Sequence, residues 1–203
     1  MKDVKQERRR PGRPRGFDRD VALRAIMLLF WEQGFDATSY TDLTVATGMS
    51  KPTLYATFGD KVELFRKAMM AYAEEAVKVY QQALQKPTAR EAVEACLRLA
   101  RGLNVQANEP IVCFLVQGAL TGSADTQSLR DELNLLQRQA TQLLQKRLEQ
   151  GKRKGELPPT ANTSVMAEYF SSVVTGLSVQ AANGAAAKDL NQVVQMAMDS
   201  WPV

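Results

Sequence analysis

The side chains best suited to chemistry lie together in residues 50–55, which read Ser-Lys-Pro-Thr-Leu-Tyr. A lysine ammonium can donate to guanine O6 and N7 or to a phosphate, and a threonine carries a methyl and a hydroxyl that suit a thymine methyl or a base edge. If this segment is a helix with Leu54 buried, the rotation of 100° per residue turns its neighbours outward. The candidates for contact on that outward face are Lys51, Pro52 and Thr53, with Tyr55 on the flank as a phosphate contact.

Three more polar side chains stand at the starts or flanks of neighbouring helices: Ser39, Tyr40 and Lys61. Such positions favour phosphate contact over base contact. The alternative is a solvated face with local caps, which an isolated Ser-x-x-Asp or a single glycine turn would indicate. Three successive helices, a glycine turn and an adjoining basic segment together favour contact with a nucleic acid.

A second concentration of charge lies in residues 1–16, which hold seven basic and two acidic side chains in a chain whose formal charge is +4. Part of it resembles an AT-hook, a Gly-Arg-Pro core that lies extended in an A·T minor groove, although Pro11 replaces the arginine expected before that core. Proline fixes an extended backbone, and narrow A·T grooves attract arginine. We predict a disordered arm that places Arg10, Arg13 and Arg15 in a minor groove. A solvated tail that adds only nonspecific affinity is the alternative.

The elements that must position these groups are predicted to be helices. Serine and aspartate mark helix starts, and glycine marks helix ends. Ser39 with Asp42 three positions on is typical of a capping box. The pattern predicts three helices in this part of the chain, over residues 18–34, 39–48 and 51–57. They form a helix-turn-helix unit in which Leu43, Met49, Leu54 and Phe58 pack against Ile26 and Phe30.

Longer helices are predicted to follow. They cover residues 60–86, 88–103, 126–150, 163–182 and 188–201, with a short apolar segment over 110–122 and a charged loop over 150–160. The total is about nine helices and no convincing strand. The sequence therefore predicts an all-α fold with a three-helix N-terminal domain and a larger helical bundle.

The N-terminal segment resembles the tetracycline-repressor (TetR) family over residues 17 to about 77. The resemblance is carried by residues 25–30, Gly34-Phe35, Thr38-Ser39-Tyr40, Asp42-Leu43, Gly48-Met49-Ser50, Thr53-Leu54-Tyr55, Phe58, Lys61 and Leu64-Phe65. It departs at Thr44, where alanine is usual, and at Thr57, where histidine is frequent. The resemblance implies a DNA-binding domain at 17–77 (motif 40–59) and an effector-binding and dimerisation domain at 78–203. It also implies a homodimeric repressor on a palindromic operator.

The C-terminal two-thirds of the chain are predicted to hold a pocket for an apolar small-molecule effector, since a neutral, Met- and aromatic-bearing bundle suits one. The candidate lining is Met69, Tyr72, Cys113, Phe114, Gln117, Met166 and Phe170, although each also suits an ordinary core. The sequence leaves open whether Cys96 or Cys113 senses anything. The small and apolar residues of the last two helices favour a dimer interface, with packing inside one subunit as the alternative.

Composition disfavours other classes of protein. There is no histidine, and the chain has no Gly-rich phosphate loop or motif-like carboxylate pair, so an enzyme is the least expected class. Two cysteines without histidine do not complete a zinc site, and we expect no metal or cofactor. The longest apolar runs are far shorter than the ~20 residues that span a bilayer, and the start lacks a signal-peptide core, so we expect a cytoplasmic protein with no membrane partner. An architectural DNA-binding protein that uses the arm without sequence choice is the main alternative.

Overall fold

The computed structural model describes residues 18–100 and 127–202, and within these ranges the secondary structure is entirely helical. The eight helices there are α1 (Arg19–Ala37), α2 (Tyr40–Thr47), α3 (Lys51–Phe58), α4 (Lys61–Leu84), α5 (Ala89–Ala100), α6 (Gln127–Arg153), α7 (Thr163–Ala182) and α8 (Ala187–Asp199). The predicted all-α fold is confirmed. The predicted arm, the segment 110–122 and the end of the predicted helix 88–103 lie outside the described residues.

Local side-chain caps explain where several helices begin. The Ser39 Oγ atom accepts from the Asp42 backbone N–H at 3.2 Å, and the Asp42 carboxylate accepts from the Ser39 backbone N–H at 2.9 Å. Thr88 and Glu91 make the same reciprocal pair before α5, at 3.2 and 3.0 Å. Each cap satisfies backbone donors that the first helical turn leaves open, which stabilises the helix by about 0.5–2 kcal/mol.

The predicted helix stop at Gly34 is confirmed as a break in α1: Gly34 has a non-helical φ of 79° and ψ of 169°, and a further helical turn follows as far as Ala37. The largest difference from the predicted bounds is at the end of α6. Helix α6 runs to Arg153, three residues beyond the predicted end, because no proline follows until Pro158 and the basic Lys152 and Arg153 suit the negative end of the helix dipole.

The described helices bury two apolar clusters. The first joins α1, α2, α3 and α4 and also takes Leu129 and Leu133 from the start of α6. The second joins α5, the later part of α6, α7 and α8. Burying a large apolar side chain contributes about 1.5–3 kcal/mol, so each cluster fixes its own set of helices. Helix α6 is common to both, and it therefore connects the helix-turn-helix to the rest of the bundle.

The end of α4 is held by one buried arginine. Arg147, on α6, has an exposed side-chain fraction of 8%. Its guanidinium donates at 3.1–3.2 Å to three backbone carbonyls at the end of α4 and in the turn beyond it: Leu84, Lys86 and Pro87. It also lies 3.5 Å from a carboxylate oxygen of Glu156. These donors satisfy carbonyls that have no partner within the helix, so Arg147 fixes the direction in which the chain leaves α4.

In residues 18–100 and 127–202, no helix combines the length and the apolar character needed to cross a bilayer.

Candidate nucleic-acid interface

The polar face of α3 is held outward by the residues that α3 buries. Leu43, Leu54 and Phe58 are completely buried, and Met49 is 6% exposed. Gly48 adopts a left-handed conformation (φ 66°) that turns the chain between α2 and α3, and the Ser50 hydroxyl caps α3. The core packing predicted for the helix-turn-helix is confirmed.

All four residues singled out on α3 are exposed: Lys51, Pro52, Thr53 and Tyr55. They begin at the N-terminus of the helix, where open backbone N–H groups and the helix dipole favour anions. No acidic side chain lies in the first turn of α3 to oppose an approaching phosphate. The face is therefore suited to a polyanion.

An aromatic and cationic cluster joins α2 to α3. The rings of Tyr40 and Tyr55 stack with centroids 4.9 Å apart, and the Lys51 ammonium lies 4.9 Å from the centroid of the Tyr40 ring. Burial of the Tyr40 phenol, together with the neighbouring Tyr55 hydroxyl, raises the pKa of Tyr40 above its ordinary value. The cation–π contact favours a position of the Lys51 ammonium beside α2.

Two of the singled-out hydroxyls are already used in caps. The Ser39 hydroxyl donates to the Asp42 carboxylate at 2.6 Å, and the Thr53 hydroxyl lies 2.8 Å from the Ser50 hydroxyl. Hydrogen bonds from Ser39 hold the pKa of Asp42 below its ordinary value. Thr53 thus presents its methyl group to the outside more readily than its hydroxyl.

Lys61 is tied to the neighbouring helix. Its ammonium donates to the Asp36 carbonyl at 3.3 Å and lies 4.7 Å from the centroid of the Phe35 ring. An ammonium has three donors, so a phosphate contact by Lys61 is compatible with this geometry. The structure brings Ser39, Tyr40, Lys51 and Tyr55 into one continuous region, and it places Lys61 at the adjoining start of α4.

Sequence reasoning missed one residue that positions α3. The Lys67 ammonium, on α4, donates to the Phe58 carbonyl at 2.7 Å, at the C-terminal end of α3. A cation at this end complements the helix dipole. The available signal was spacing, because Lys67 lies three residues after the buried Leu64 and therefore on the same side of α4.

The predicted arm contacts (Arg10, Arg13 and Arg15) and three of the seven predicted pocket residues (Cys113, Phe114 and Gln117) lie outside the described residues. Met69 and Tyr72 are buried in the first apolar cluster, and Phe170 is buried in the second with Met166 packed against it. None of these four borders the cavity described next. Their assignment to a ligand stays a prediction.

A cavity of about 870 Å³ lies between α4, α5, α6 and α7. Tyr80 and Cys96 border it, and the Tyr80 hydroxyl donates to the Ala140 carbonyl at 3.3 Å. Burial raises the pKa of the Cys96 thiol to about 12. In the part of the chain that the structure describes, no three histidine, cysteine, aspartate or glutamate side chains are grouped so that they could hold a metal ion.

The architecture and the α3 face together define a class: a helix-turn-helix DNA-binding protein on an all-helical body. Residues 22–68 match the model of the bacterial regulatory proteins of the tetR family. The chain is 32% identical over 193 residues to the HTH-type transcriptional repressor ComR of Escherichia coli (strain K12), a match that covers 94% of this chain and 92% of ComR. It is 42% identical over 69 residues to the HTH-type transcriptional repressor BdcR of the same strain, or 34% of this chain and 35% of BdcR.

A solved structure agrees over nearly the whole chain. The TetR family transcriptional regulator CifR, as a cysteine mutant complexed with 26bp double-strand operator DNA, shares 34% identity with a TM-score of 0.85. The match covers 94% of this chain and 100% of that one. The chain belongs to the TetR family. It is a sequence-specific DNA-binding transcriptional regulator and not an enzyme.

Proposed function

We propose that this regulator is a homodimeric repressor that binds a palindromic operator through two copies of α3 and is released from it by a small-molecule effector. The observation that carries the proposal is the exposed, anion-favouring start of α3, with Lys51 held over Tyr40 beside it. The relatives named as repressors, ComR and BdcR, support repression over activation.

Within this proposal the contacts divide by chemistry. Lys51, Pro52 and Thr53 meet base edges in the major groove, with the Thr53 methyl against a thymine methyl. Four side chains meet phosphates: Ser39, Tyr40, Tyr55 and Lys61.

The test separates loss of discrimination between operator and scrambled DNA from loss of affinity for both. Operator sequences selected from a random pool are titrated against the wild type and variants, with scrambled DNA of the same length alongside. We expect Lys51→Ala and Thr53→Ala each to reduce the difference in binding free energy between operator and scrambled DNA by about 1–3 kcal/mol for each lost base contact. Tyr55→Phe and Lys61→Ala should weaken both DNAs alike. An unchanged ratio for the first pair contradicts the assignment of the groove-facing side.

The N-terminal arm is proposed to add minor-groove contacts through Arg10, Arg13 and Arg15. Each neutralised phosphate changes the slope of log K against log salt concentration by about 0.9. Deleting residues 1–16 should therefore weaken operator binding and lower that slope by several units. A slope that does not change after deletion refutes the arm contacts.

The dimer surface is proposed to lie on α7 and α8, which carry exposed apolar side chains. Val165 and Tyr169 on α7 are 62% and 42% exposed, and Val193 and Met196 on α8 are 44% and 75% exposed. Their spacings of four and three residues place each pair on one helix face. Met196→Glu should convert a dimer to a monomer in sedimentation and weaken operator binding, whereas Leu135→Glu, an equally apolar exposed position on α6, should leave the mass unchanged. A dimeric Met196→Glu variant overturns this surface.

We propose that residues 17–77, which supply most of the first apolar cluster, read the DNA, and that residues 78–203, which supply the second cluster, bind the effector and dimerise. The proposed location is the cytoplasm, where operator DNA is accessible. An architectural protein that coats DNA through the arm is the second candidate. A nuclease footprint separates the two, because a discrete protected palindrome supports the repressor and uniform protection supports coating.

A further inference from the structure

The end of the helical body that lies opposite α3 carries a concentration of positive charge. Helix α4 has 24 residues and is therefore about 36 Å long. Helix α3 packs near the first turns of α4, where the Lys67 ammonium meets the Phe58 carbonyl, and the turn that follows α4 lies at the other end. At that end, residues 85–91 and 146–156 hold seven basic and three acidic side chains, whereas the rest of residues 78–203 holds six basic and eight acidic ones.

These two segments are distant in the chain and meet in the fold. The Arg147 guanidinium donates to the Lys86 carbonyl at 3.2 Å, and a Glu156 carboxylate oxygen accepts from the Ala89 backbone N–H at 2.6 Å. A Cβ at Gly151 would lie only 2.7 Å from the Ala89 Cβ, so the two backbones pass close to one another. The cations of both segments therefore belong to one surface.

The distal basic surface is defined here as the four exposed cations of these segments: Lys86, Arg90, Arg153 and Lys154. Each lies within three residues, or about 11 Å of chain, of a residue that joins the segments. Charges separated by about one Debye length, which is about 8–10 Å at physiological salt, still act together. Within the described chain none of the four side chains makes an ion pair or a hydrogen bond. Their donors are therefore open to an anionic partner.

The nearest carboxylates do not neutralise the distal basic surface. Glu156 is directed inward, to the Ala89 backbone N–H and the Arg147 guanidinium. Glu91 accepts from the Thr88 backbone N–H at 3.0 Å as part of the cap of α5, and it is a single exposed carboxylate beside four cations. The residues outside the described ranges hold eight basic and four acidic side chains, so their net charge is positive too.

The chemistry of the distal basic surface favours a phosphate backbone as its partner. The large exposed apolar side chains of the described chain all lie elsewhere, with none in residues 85–91 or 146–156. A membrane surface or a protein partner is bound in large part through apolar and aromatic side chains. Binding to duplex DNA without sequence choice needs none, because it comes essentially from cations that neutralise phosphates. Duplex DNA is also the polyanion that is close by when α3 holds its operator.

We propose that the distal basic surface binds a second DNA duplex, without sequence preference, while α3 reads the operator. The two DNA sites lie at opposite ends of α4, about 36 Å apart, so one straight duplex does not reach both. The regulator therefore holds two segments of DNA together at its operator. This activity goes beyond repression by operator occupancy, and it does not depend on the N-terminal arm.

A capture experiment with the full chain tests the second site. Biotinylated operator DNA, selected from a random pool, is immobilised, saturated with protein and washed. A fluorescent duplex of scrambled sequence is then added over a series of salt concentrations. Operator loaded with protein should retain this duplex, and bare operator should not. Four neutralised phosphates predict a slope of log K against log salt concentration of about −3 to −4. Absence of retention at every salt concentration overturns the proposal.

Paired variants locate the retained duplex. Lys86→Gln/Arg90→Gln and Arg153→Gln/Lys154→Gln each remove two cations without introducing a negative charge. Each pair should reduce the slope by about two, because each lost phosphate contact changes it by about 0.9. The variant with all four substitutions should retain no more duplex than bare operator does. Retention that the fourfold variant leaves unchanged assigns the second duplex to another part of the chain and overturns the proposal.

A matched control removes the same charge elsewhere. Lys78→Gln/Arg138→Gln neutralises two exposed cations on α4 and α6 outside the distal basic surface, and it should retain the second duplex as the wild type does. An equal loss of retention in this control shows an effect of total charge and overturns the assignment to the distal surface. Operator binding is measured on the same samples, so that loss of the second duplex is distinguished from loss of operator recognition.

Vesicles distinguish DNA from an anionic lipid surface. Vesicles of equal parts phosphatidylglycerol and phosphatidylcholine should be retained by the loaded operator no more than vesicles of phosphatidylcholine alone, because the distal basic surface offers no apolar side chain for insertion. If the anionic vesicles are retained through the four cations and the scrambled duplex is not, the partner is a lipid surface and the proposed DNA site is wrong.

Discussion

Replacing Lys67 by methionine should destabilise α3 without changing any residue on its exposed face. Methionine keeps the apolar stem that packs along α4 and removes the ammonium that donates to the Phe58 carbonyl at 2.7 Å. A hydrogen bond to a charged group contributes about 1.5–3 kcal/mol, and a cation at a helix C-terminus adds about 0.3–1 kcal/mol. Phe58 is completely buried and Lys67 is half-buried, so water can replace the lost ammonium only in part. The expected net loss of stability is about 1–2 kcal/mol.

The assay is thermal unfolding together with operator titration. For a chain of this length a loss of 1–2 kcal/mol lowers the melting temperature by roughly 2–8 °C. Lys78→Met is the matched control, since Lys78 lies on the same helix and pairs with Glu75 while both side chains are 62–70% exposed. That pair is exposed to solvent and contributes little to stability, so the control should melt close to the wild type.

Two results would refute the reasoning about Lys67. If Lys67→Met and Lys78→Met melt at the same temperature, the contact with Phe58 does not stabilise α3. If Lys67→Met keeps full stability but binds the operator more weakly and with a smaller slope of log K against log salt concentration, the lysine contacts a phosphate and does not position the helix.

Further predictions concern packing and pH. In Gly151→Ala the new Cβ would lie 2.7 Å from the Ala89 Cβ and 3.0 Å from a Glu156 carboxylate oxygen, so the free energy of unfolding in urea should fall by about 1–3 kcal/mol. Adding Ala89→Gly should recover part of that loss; no recovery would locate the strain elsewhere. Burial raises the pKa of the Cys96 thiol from 9.0 to about 12. The contribution of the protonated thiol to the free energy of unfolding is therefore complete below pH 9. It is lost as the pH rises to 12, by up to about 4 kcal/mol. Cys96→Ala should lose less stability across that range than the wild type, and identical declines would show that this thiol does not contribute.

Sequence reasoning predicted the features of this chain that local chemistry determines. The Ser39–Asp42 capping box and the glycine turn at Gly48 each depend on residues within four positions of one another. The outward face of α3 followed from the burial of Leu54 alone. The start of α5 at Thr88 with Glu91 is a further case, because the two side chains cap each other.

What the sequence did not predict depends on contacts between distant positions. The Arg147 guanidinium meets carbonyls about 60 residues away in the chain, and no local pattern marks a buried arginine for that role. The pocket prediction rested on residue type, which does not separate core from cavity lining. Met69 and Phe170 are core, whereas glutamines and threonines on α6 and α7 border the cavity.

Helix α6 has a consequence for building hybrid regulators. Leu129 and Leu133, both 1% exposed, complete the apolar cluster of a DNA-reading unit that otherwise ends some fifty residues earlier in the chain. Grafting residues 17–77 onto a foreign effector domain would therefore leave a hole where these two leucines belong, unless the foreign helix supplies side chains of the same shape. Because the two domains share this apolar cluster, a working chimera must exchange the first two turns of α6 together with the helix-turn-helix.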